Sequence, residues 1–336
     1  MAYFRAAQMI TCSRTALALA LAATAGCSSK PNFKSMQYVA TLKTGAQHGT
    51  ARDVAVKDGY IFASNDLGLR IWRTNSGTDA TLIADTNFTD TPGTLVNPTA
   101  FGALRLNGNI LYVAAYGLSV VDVTDPSAPK LIEKHPESSG AQSIVLGDGI
   151  LVTGAGSQIQ VYDSTDPKHL ILKSQTTVTS VNGIGGIAVE KKAIFLWTDG
   201  FSIFDASDPT KLVARGTLDN GRNVGPLLAN GNGYVYGGYD NAGAIIDVHN
   251  LDAPKYATSA TTPTWMSEVV PVLLDGDTLL CAGGNFSAYD VSDPVHPQLL
   301  YFNIGTDGTQ TGLTGLAVDS NHLYTANTTG VTLYSF

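Results

Sequence analysis

VVDVTDPSAP at residues 120–129 recurs four more times, as VYDSTDPKHL (161–170), IFDASDPTKL (203–212), IIDVHNLDAP (245–254) and AYDVSDPVHP (288–297). Each copy is an apolar strand ending in an aspartate, followed by a short turn and a second, outer strand. The lead aspartates Asp122, Asp163, Asp205, Asp247 and Asp290 are 41, 42, 42 and 43 residues apart. A near-constant period of that size is the signature of a propeller array, one four-stranded blade per repeat. The expected fold is therefore all-β, a seven-bladed β-propeller of four-stranded antiparallel blades. Propellers carry unrelated roles, so the period speaks to architecture and leaves function to individual side chains.

Outward from the aspartate, each repeat can be laid out strand by strand. An inner strand runs into a Gly/Asn/Asp turn (SIVLGDG, 143–149; PVLLDGD, 271–277), and a second follows (ILYVA, 110–114; AIFLW, 193–197). The third carries the aspartate, and the fourth lies beyond the turn (KLIE, 130–133; KLVA, 211–214). Both alternating sets of the inner strands are largely apolar, as expected where every blade is sandwiched between two neighbours. Arg105 is a charged intruder there and needs a partner. Repeats begin near Ala51, Ala100, Ala141, Gly183, Val224 and Glu268, and the first has a longer outer region, 74–99. A seventh begins at Gly312 and ends at Phe336 without an outer strand. QYVATLK at 37–43 resembles the outer strands elsewhere, so the N-terminal strand is expected to complete the last blade, closing the ring and hiding its open edges.

Ahead of the repeats lies an address. Arg5 and Arg14 precede ALALALAATAG (16–26), an apolar run too short to span a bilayer and followed by small residues, which reads as a secretory signal peptide. Met9 is an alternative start to Met1. The stretch Thr24-Ala25-Gly26-Cys27 resembles the bacterial lipobox, with Thr24 where that pattern prefers Leu, Val or Ile. The resemblance implies that Cys27 becomes the acylated first residue of the mature protein; an ordinary cleaved signal with an incidental cysteine is the alternative. The resulting division is 1–26 signal peptide, 27–35 polar tether and 36–336 a single propeller domain.

Loss of residues 1 to 26 removes two of the twenty basic residues and none of the 28 acidic ones, leaving a mature net charge of −10. An acidic body argues against nucleic acid and against electrostatic adhesion to anionic lipid. Membrane attachment then rests on Cys27, and several acyl chains, as the lipoprotein resemblance implies, make a stable anchor. Of three cysteines only Cys281 lies in the folded body, where its apolar strand marks it as a small buried hydrophobe. The expected location is the bacterial cell envelope, lipid-anchored, on the periplasmic or outer surface of the outer membrane.

The stretches GTARDVAVKDGYIFASNDLGLRIW (49–72), NGNILYVAAYGLSVVDVTDPSAP (107–129) and DGDTLLCAGGNFSAYDVSDPVHP (275–297) resemble the bacterial LVIVD repeat, found in secreted and surface propellers. The resemblance runs from about Thr50 to the C-terminus and is specific for blades two to four and six. Blade one departs from it at Trp72-Arg73, and blade five at Asn250 and Leu251. It implies a propeller of cell-envelope type and brings no catalytic residues.

Five copies of one aspartate favour a structural role, since a catalytic group is needed once and a turn in every blade. An aspartate at a strand end can accept from the backbone N–H groups of the following turn. Calcium binding is the minor alternative, without EF-hand spacing to support it. The chain has no Gly-x-Ser-x-Gly elbow, phosphate loop, HExxH or CxxC. Its six histidines are scattered, with His169, His249 and His296 in or beside the aspartate turns. No catalytic residue, metal ligand set or cofactor is assigned.

Residues that break the repeat remain. Loops entering the inner strands, and loops between second and third strands, converge on one face of a closed array. They carry His48, Arg52, Asn65, Asp66, Tyr116, Gln142, Asp199, Arg222, Asn223, Tyr239, Asp240, Trp265, Glu268 and Asn285. That mixture of Tyr, Trp, Arg and amides suits contact with a protein or glycan partner. The expected function is a non-enzymatic interaction module. A metal-dependent hydrolase or lactonase in the central channel, with His48, Asp53, Asn223 and Glu268 as ligands, is the alternative.

Overall fold

The computed structural model describes residues 36–42, 50–65, 68–75, 79–87, 102–114, 117–136, 141, 143–180, 183–218, 224–229, 231–239, 242–257, 269–283, 286–303 and 313–336. Residues 1–35, with the expected leader, Cys27 and the expected tether, lie outside them. The described residues all belong to one compact unit, Pro31–Phe336.

They form seven four-stranded antiparallel sheets. β1 (Gln37–Leu42) belongs to the last sheet. Blade one is β2 (Ala51–Lys57), β3 (Tyr60–Asn65), β4 (Gly68–Asn75) and β5 (Asp79–Asn87). Blade two is β6 (Leu104–Asn107), β7 (Ile110–Ala114), β8 (Leu118–Asp122) and β9 (Lys130–His135). Blade three is β10 (Ser143–Gly147), β11 (Ile150–Ala155), β12 (Gln158–Asp163) and β13 (Ile171–Thr177). Blade four is β14 (Gly186–Glu190), β15 (Ala193–Trp197), β16 (Phe201–Asp205) and β17 (Val213–Leu218). Blade five is β18 (Val224–Ala229), β19 (Tyr234–Tyr239), β20 (Ala242–Asp247) and β21 (Lys255–Tyr256). Blade six is β22 (Val269–Asp275), β23 (Thr278–Gly283), β24 (Phe286–Asp290) and β25 (Gln298–Asn303). Blade seven is β26 (Gly315–Val318), β27 (His322–Asn327) and β28 (Gly330–Ser335), with β1 paired to β28.

The first hairpin of a blade needs left-handed backbone, and the sequence mostly supplies it. Asp58-Gly59 (φ 50° and 78°) and Asp148-Gly149 (φ 52° and 79°) are Asp-Gly pairs suited to a two-residue hairpin. Blade four puts Lys191 and Lys192 there instead, at φ 48° and 62°. Each side chain meets the steric penalty that glycine avoids.

One backbone bond ties the third strand to that hairpin in all seven blades. The residue after the third strand's aspartate position donates its N–H to a hairpin carbonyl: Thr74 to Gly59, Val123 to Asn109, Ser164 to Gly149, Ala206 to Lys192, Val248 to Gly233, Val291 to Asp277 and Phe336 to Asn321, at 2.7–3.0 Å. Blades one and seven keep this bond although Arg73 and Ser335 replace the aspartate, so the tie belongs to the fold and the aspartate to the turn beyond it.

The core is a series of clusters between neighbouring blades. Trp197, Phe201, Leu227 and Ile246 pack blade four on blade five, and Tyr112, Ile144, Leu151 and Tyr162 pack blade two on blade three. Trp197 is fully buried against Gly237, where a Cβ would come within 2.6 Å of the indole. The seam between blades seven and one is built alike, from Leu42, Val54, Trp72, Tyr324, Val331 and Leu333. There Thr314 Oγ1 donates to the Ala51 carbonyl at 2.8 Å. β1 runs antiparallel to β28, pairing Gln37 with Ser335 and Leu42 with Val331.

Candidate functional site

The repeated aspartates sit at the blade periphery in a uniform geometry. Oδ1 of Asp122, Asp163, Asp205, Asp247 and Asp290 accepts the N–H two residues on, at 2.8–3.0 Å. The acid or amide three residues later repeats the arrangement. Asp125, Asp166, Asp208, Asn250 and Asp293 accept from residue i+2 at 3.0–3.1 Å. Asn250 in blade five therefore preserves the turn, because an amide oxygen accepts as a carboxylate does. The hydrogen bonds hold the carboxyls of Asp122, Asp125, Asp163, Asp205, Asp208, Asp247 and Asp293 low. Asp163 is drawn down to about 2 by the hydroxyl and N–H of Thr165, with Lys173 adding to them.

The second carboxylate oxygen meets a cation at the rim. Asp163 pairs with Lys173 at 3.1 Å, Asp205 with Arg215 at 3.1 Å, and Asp122 with Lys168 of the next blade at 3.0 Å. The turns also reach the preceding blade: Tyr112 Oη donates to the Pro167 carbonyl at 2.9 Å, Ser174 Oγ to the Pro209 carbonyl at 2.7 Å, and the Leu170 N–H to Glu133 at 3.0 Å. At the seam Tyr324 Oη donates within its own blade, to Asp319 at 2.7 Å. Blade one has no Asp-Pro turn to meet it, and a cleft of about 670 Å³ lies there between Tyr60, Thr74, Asp319 and His322.

The inner strands surround a central channel of about 810 Å³. Its wall is mainly aliphatic, and its charged lining residues are Arg52, Asp53, Arg105 and Asp275. Arg105 finds its partner across the blade boundary, where Nη1 lies 3.0 Å from Asp53 Oδ2. That oxygen also accepts the Leu104 N–H at 2.9 Å, and Oδ1 accepts the Val54 N–H at 2.9 Å. Burial pushes the Asp53 carboxyl up, opposed by Arg105 and by the two N–H groups. Both oxygens of Asp53 thus accept hydrogen bonds from the frame. Gly315 is required opposite it, because a Cβ there would collide with Asp53 Oδ1.

Of the residues expected on the irregular face, the structure places Arg52 at the start of β2, Asn65 at the end of β3, Asp199 between β15 and β16, and Tyr239 at the end of β19. The registers Ala51–Asn65, Gly186–Trp197 and Val224–Tyr239 put all four at the ends where inner strands begin. Asn65 is buried and accepts the Gly68 N–H at 2.9 Å, closing its own turn, so it belongs to the frame. Asn327 does the same with Thr329 at 2.9 Å. His48, Asp66, Tyr116, Gln142, Arg222, Asn223, Asp240, Trp265, Glu268 and Asn285 lie outside the described residues, as does Cys27. Cys281 is buried, and desolvation pushes its thiol far up, which suits a core residue.

The family model for the LVIVD repeat matches residues 48–71 and 102–135. The chain is a seven-bladed β-propeller in which two stretches, in blades one and two, match the LVIVD repeat. The first match ends at Ile71, one residue before the Trp72-Arg73 departure, and the second takes in all four strands of blade two. No curated protein matches the sequence. Among solved structures the fold is shared with the WD40 β-propeller domain of Doa1 (14% identity, 90% of this chain and 97% of that one, TM-score 0.62). It is also shared with a chain of the mitotic checkpoint complex (14%, 96% and 99%, 0.61) and with the computationally designed Ika8 protein (15%, 89% and 100%, 0.59).

Proposed function

We propose that this propeller is a non-enzymatic interaction module, held to the bacterial cell envelope through acylated Cys27, whose protein or glycan partner docks where the inner strands begin. The observation that carries the reading is the engagement of its acids: five repeated aspartates are engaged in turns, and the channel carboxylate of Asp53 accepts from Leu104, Arg105 and Val54. A rigid array that spends its carboxylates on its own frame suits recognition by loops. Arg52, Asp199 and Tyr239 at those ends, with His48, Asp66, Tyr116, Gln142, Arg222, Asn223, Trp265 and Glu268 on the adjoining loops, supply side chains of the kind that dominate interfaces.

The test is a pull-down from membranes with the purified protein, repeated with Tyr239→Ala, Arg222→Ala and Trp265→Ala. At least one variant is expected to weaken capture of a common partner without lowering the melting temperature. Unchanged capture by all three removes this face as the site. Stoichiometric metal in the purified protein, released only by chelator, overturns the non-enzymatic reading in favour of a channel hydrolase.

A further inference from the structure

We propose that the central channel binds an apolar monocarboxylate, its carboxylate on the Nε/Nη2 edge of Arg105 and its body against the aliphatic wall. The argument starts from register. Arg105 is paired with Tyr112. The same place on the other six inner strands holds Ala55, Val145, Ala188, Leu228, Leu273 and Ala317, paired with Phe62, Val152, Phe195, Tyr236, Leu280 and Tyr324. The next tier, from Val56 in blade one to Val318 in blade seven, is aliphatic in every blade, and both tiers line the channel. In a ring built from repeats, one guanidinium among thirteen aliphatic positions is a departure that blade packing alone does not ask for.

The guanidinium is aimed and only half used. Nη1 donates to Asp53 Oδ2 at 3.0 Å and to its neighbour's carbonyl at Leu104. Among the described residues nothing accepts from Nε or Nη2, although the side chain is 44% exposed in the channel. A guanidinium acting only as counter-ion to Asp53 has its two-pronged geometry available and leaves it unused; the unused edge matches the spacing of a carboxylate. Arg52 lines the same end, while Asp275 lies at the far ends of the inner strands. At roughly 3.3 Å per residue, two aliphatic tiers cover about 7 Å of channel, which suits a short acyl chain or a compact ring system and is too short for a long-chain fatty acid.

The test titrates the full-length protein with octanoate by calorimetry, with octylammonium and octanol as the cationic and neutral arms. Octanoate is expected to saturate one site, and each of the others to bind at least tenfold more weakly. Arg105→Val should lose that binding. Because it strands Asp53, the paired variant Asp53→Ser with Arg105→Val, which copies Ser143 and Val145 of blade three, provides the same test in a neutralised frame. On the unmodified protein, octanoate should also shield Arg105 from phenylglyoxal, read by peptide mass. Equal binding of octanol, retained octanoate affinity in the paired variant, no saturable site, or undiminished phenylglyoxal labelling each overturns the proposal.

Discussion

Arg215 on the outer strand of blade four grips Asp252 in the turn of blade five, with Nε 2.6 Å from Oδ1 and Nη2 2.8 Å from Oδ2, while its Nη1 reaches Asp205 of its own blade at 3.1 Å. One side chain thereby fastens two turns and two blades. Lysine offers a point charge where arginine offers a fork, so Arg215→Lys is expected to hold only one aspartate at a time. Thermal melts should place Arg215→Lys below the parent and Arg215→Met lower still. A lysine variant that melts with the parent refutes the two-blade clasp.

The Asx turns give an acid-side pH dependence with a defined sign. Asp163 titrates near 2 in the folded chain against 3.8 for an unperturbed aspartate. Its contribution is complete above the unfolded value and is lost as pH falls through the folded one. Solvent screening reduces the effect at this exposed site. Melting temperatures between pH 5 and pH 2 should therefore fall less steeply for Asp163→Asn, which keeps an acceptor oxygen without the charge. Parallel curves would refute the assignment.

Lys191 and Lys192 hold a left-handed hairpin that blades one and three build with Asp-Gly. Lys192→Gly removes a side chain from a conformation costing L-residues roughly 1–2 kcal/mol, partly offset by glycine's greater freedom when unfolded. Its N–H remains to donate to Asp148. Denaturant unfolding should show a gain on the order of 1 kcal/mol, and a loss would count against the strain.

Gly237→Ala inserts a methyl 2.6 Å from the Trp197 ring. Expulsion of the indole from a fully buried site should approach the cost of Trp197→Ala, about 3–5 kcal/mol. If the double variant Gly237→Ala with Trp197→Phe is no more stable than Gly237→Ala alone, the two do not share that contact.

Truncation separates tether from strand. Starting the chain after residue 35 should leave the melting temperature unchanged. Starting it after residue 43 removes β1 and the Tyr38–Tyr334 ring contact at 6.2 Å, and should cause aggregation or a marked drop in the melt. A truncation through residue 43 that melts like the parent refutes the role given to β1. Acylation is tested separately: fatty-acid labelling should be lost in Cys27→Ala, and equal labelling of that variant would refute the anchor.

The blade period was legible because Asp122 and its four counterparts end their strands in one fixed turn, and a turn leaves a mark in local sequence. Strand boundaries were less so: β17 begins at Val213, two residues after the start of the expected outer strand KLVA, because an Asp-Pro turn with its second Asx bond extends to Lys211. Asp53 and Arg105 were visible singly, and their pairing was not, since it crosses a blade boundary and no local pattern encodes it. The role of Gly315 was hidden for the same reason: it answers a side chain 262 positions away. For the loop face the sequence offers residue types without geometry, and most of those residues fall outside the described set.

The pairing of β1 with β28 also sets the order of events in folding. Thr41 and Thr332, whose hydroxyls lie 3.2 Å apart, are separated by 291 positions. Contacts between such distant positions form slowly, because the entropy of loop closure is lost before they reward it. As the chain is made from its N-terminus, the first strand to emerge is the last to find its neighbour. Until Phe336 is available, blades one to six stand as an open stack with an unmatched blade at either end. Closure is then one late, all-or-none step, and refolding kinetics should show its rate responding to changes in β1 or β28 and little to changes in the Asx turns.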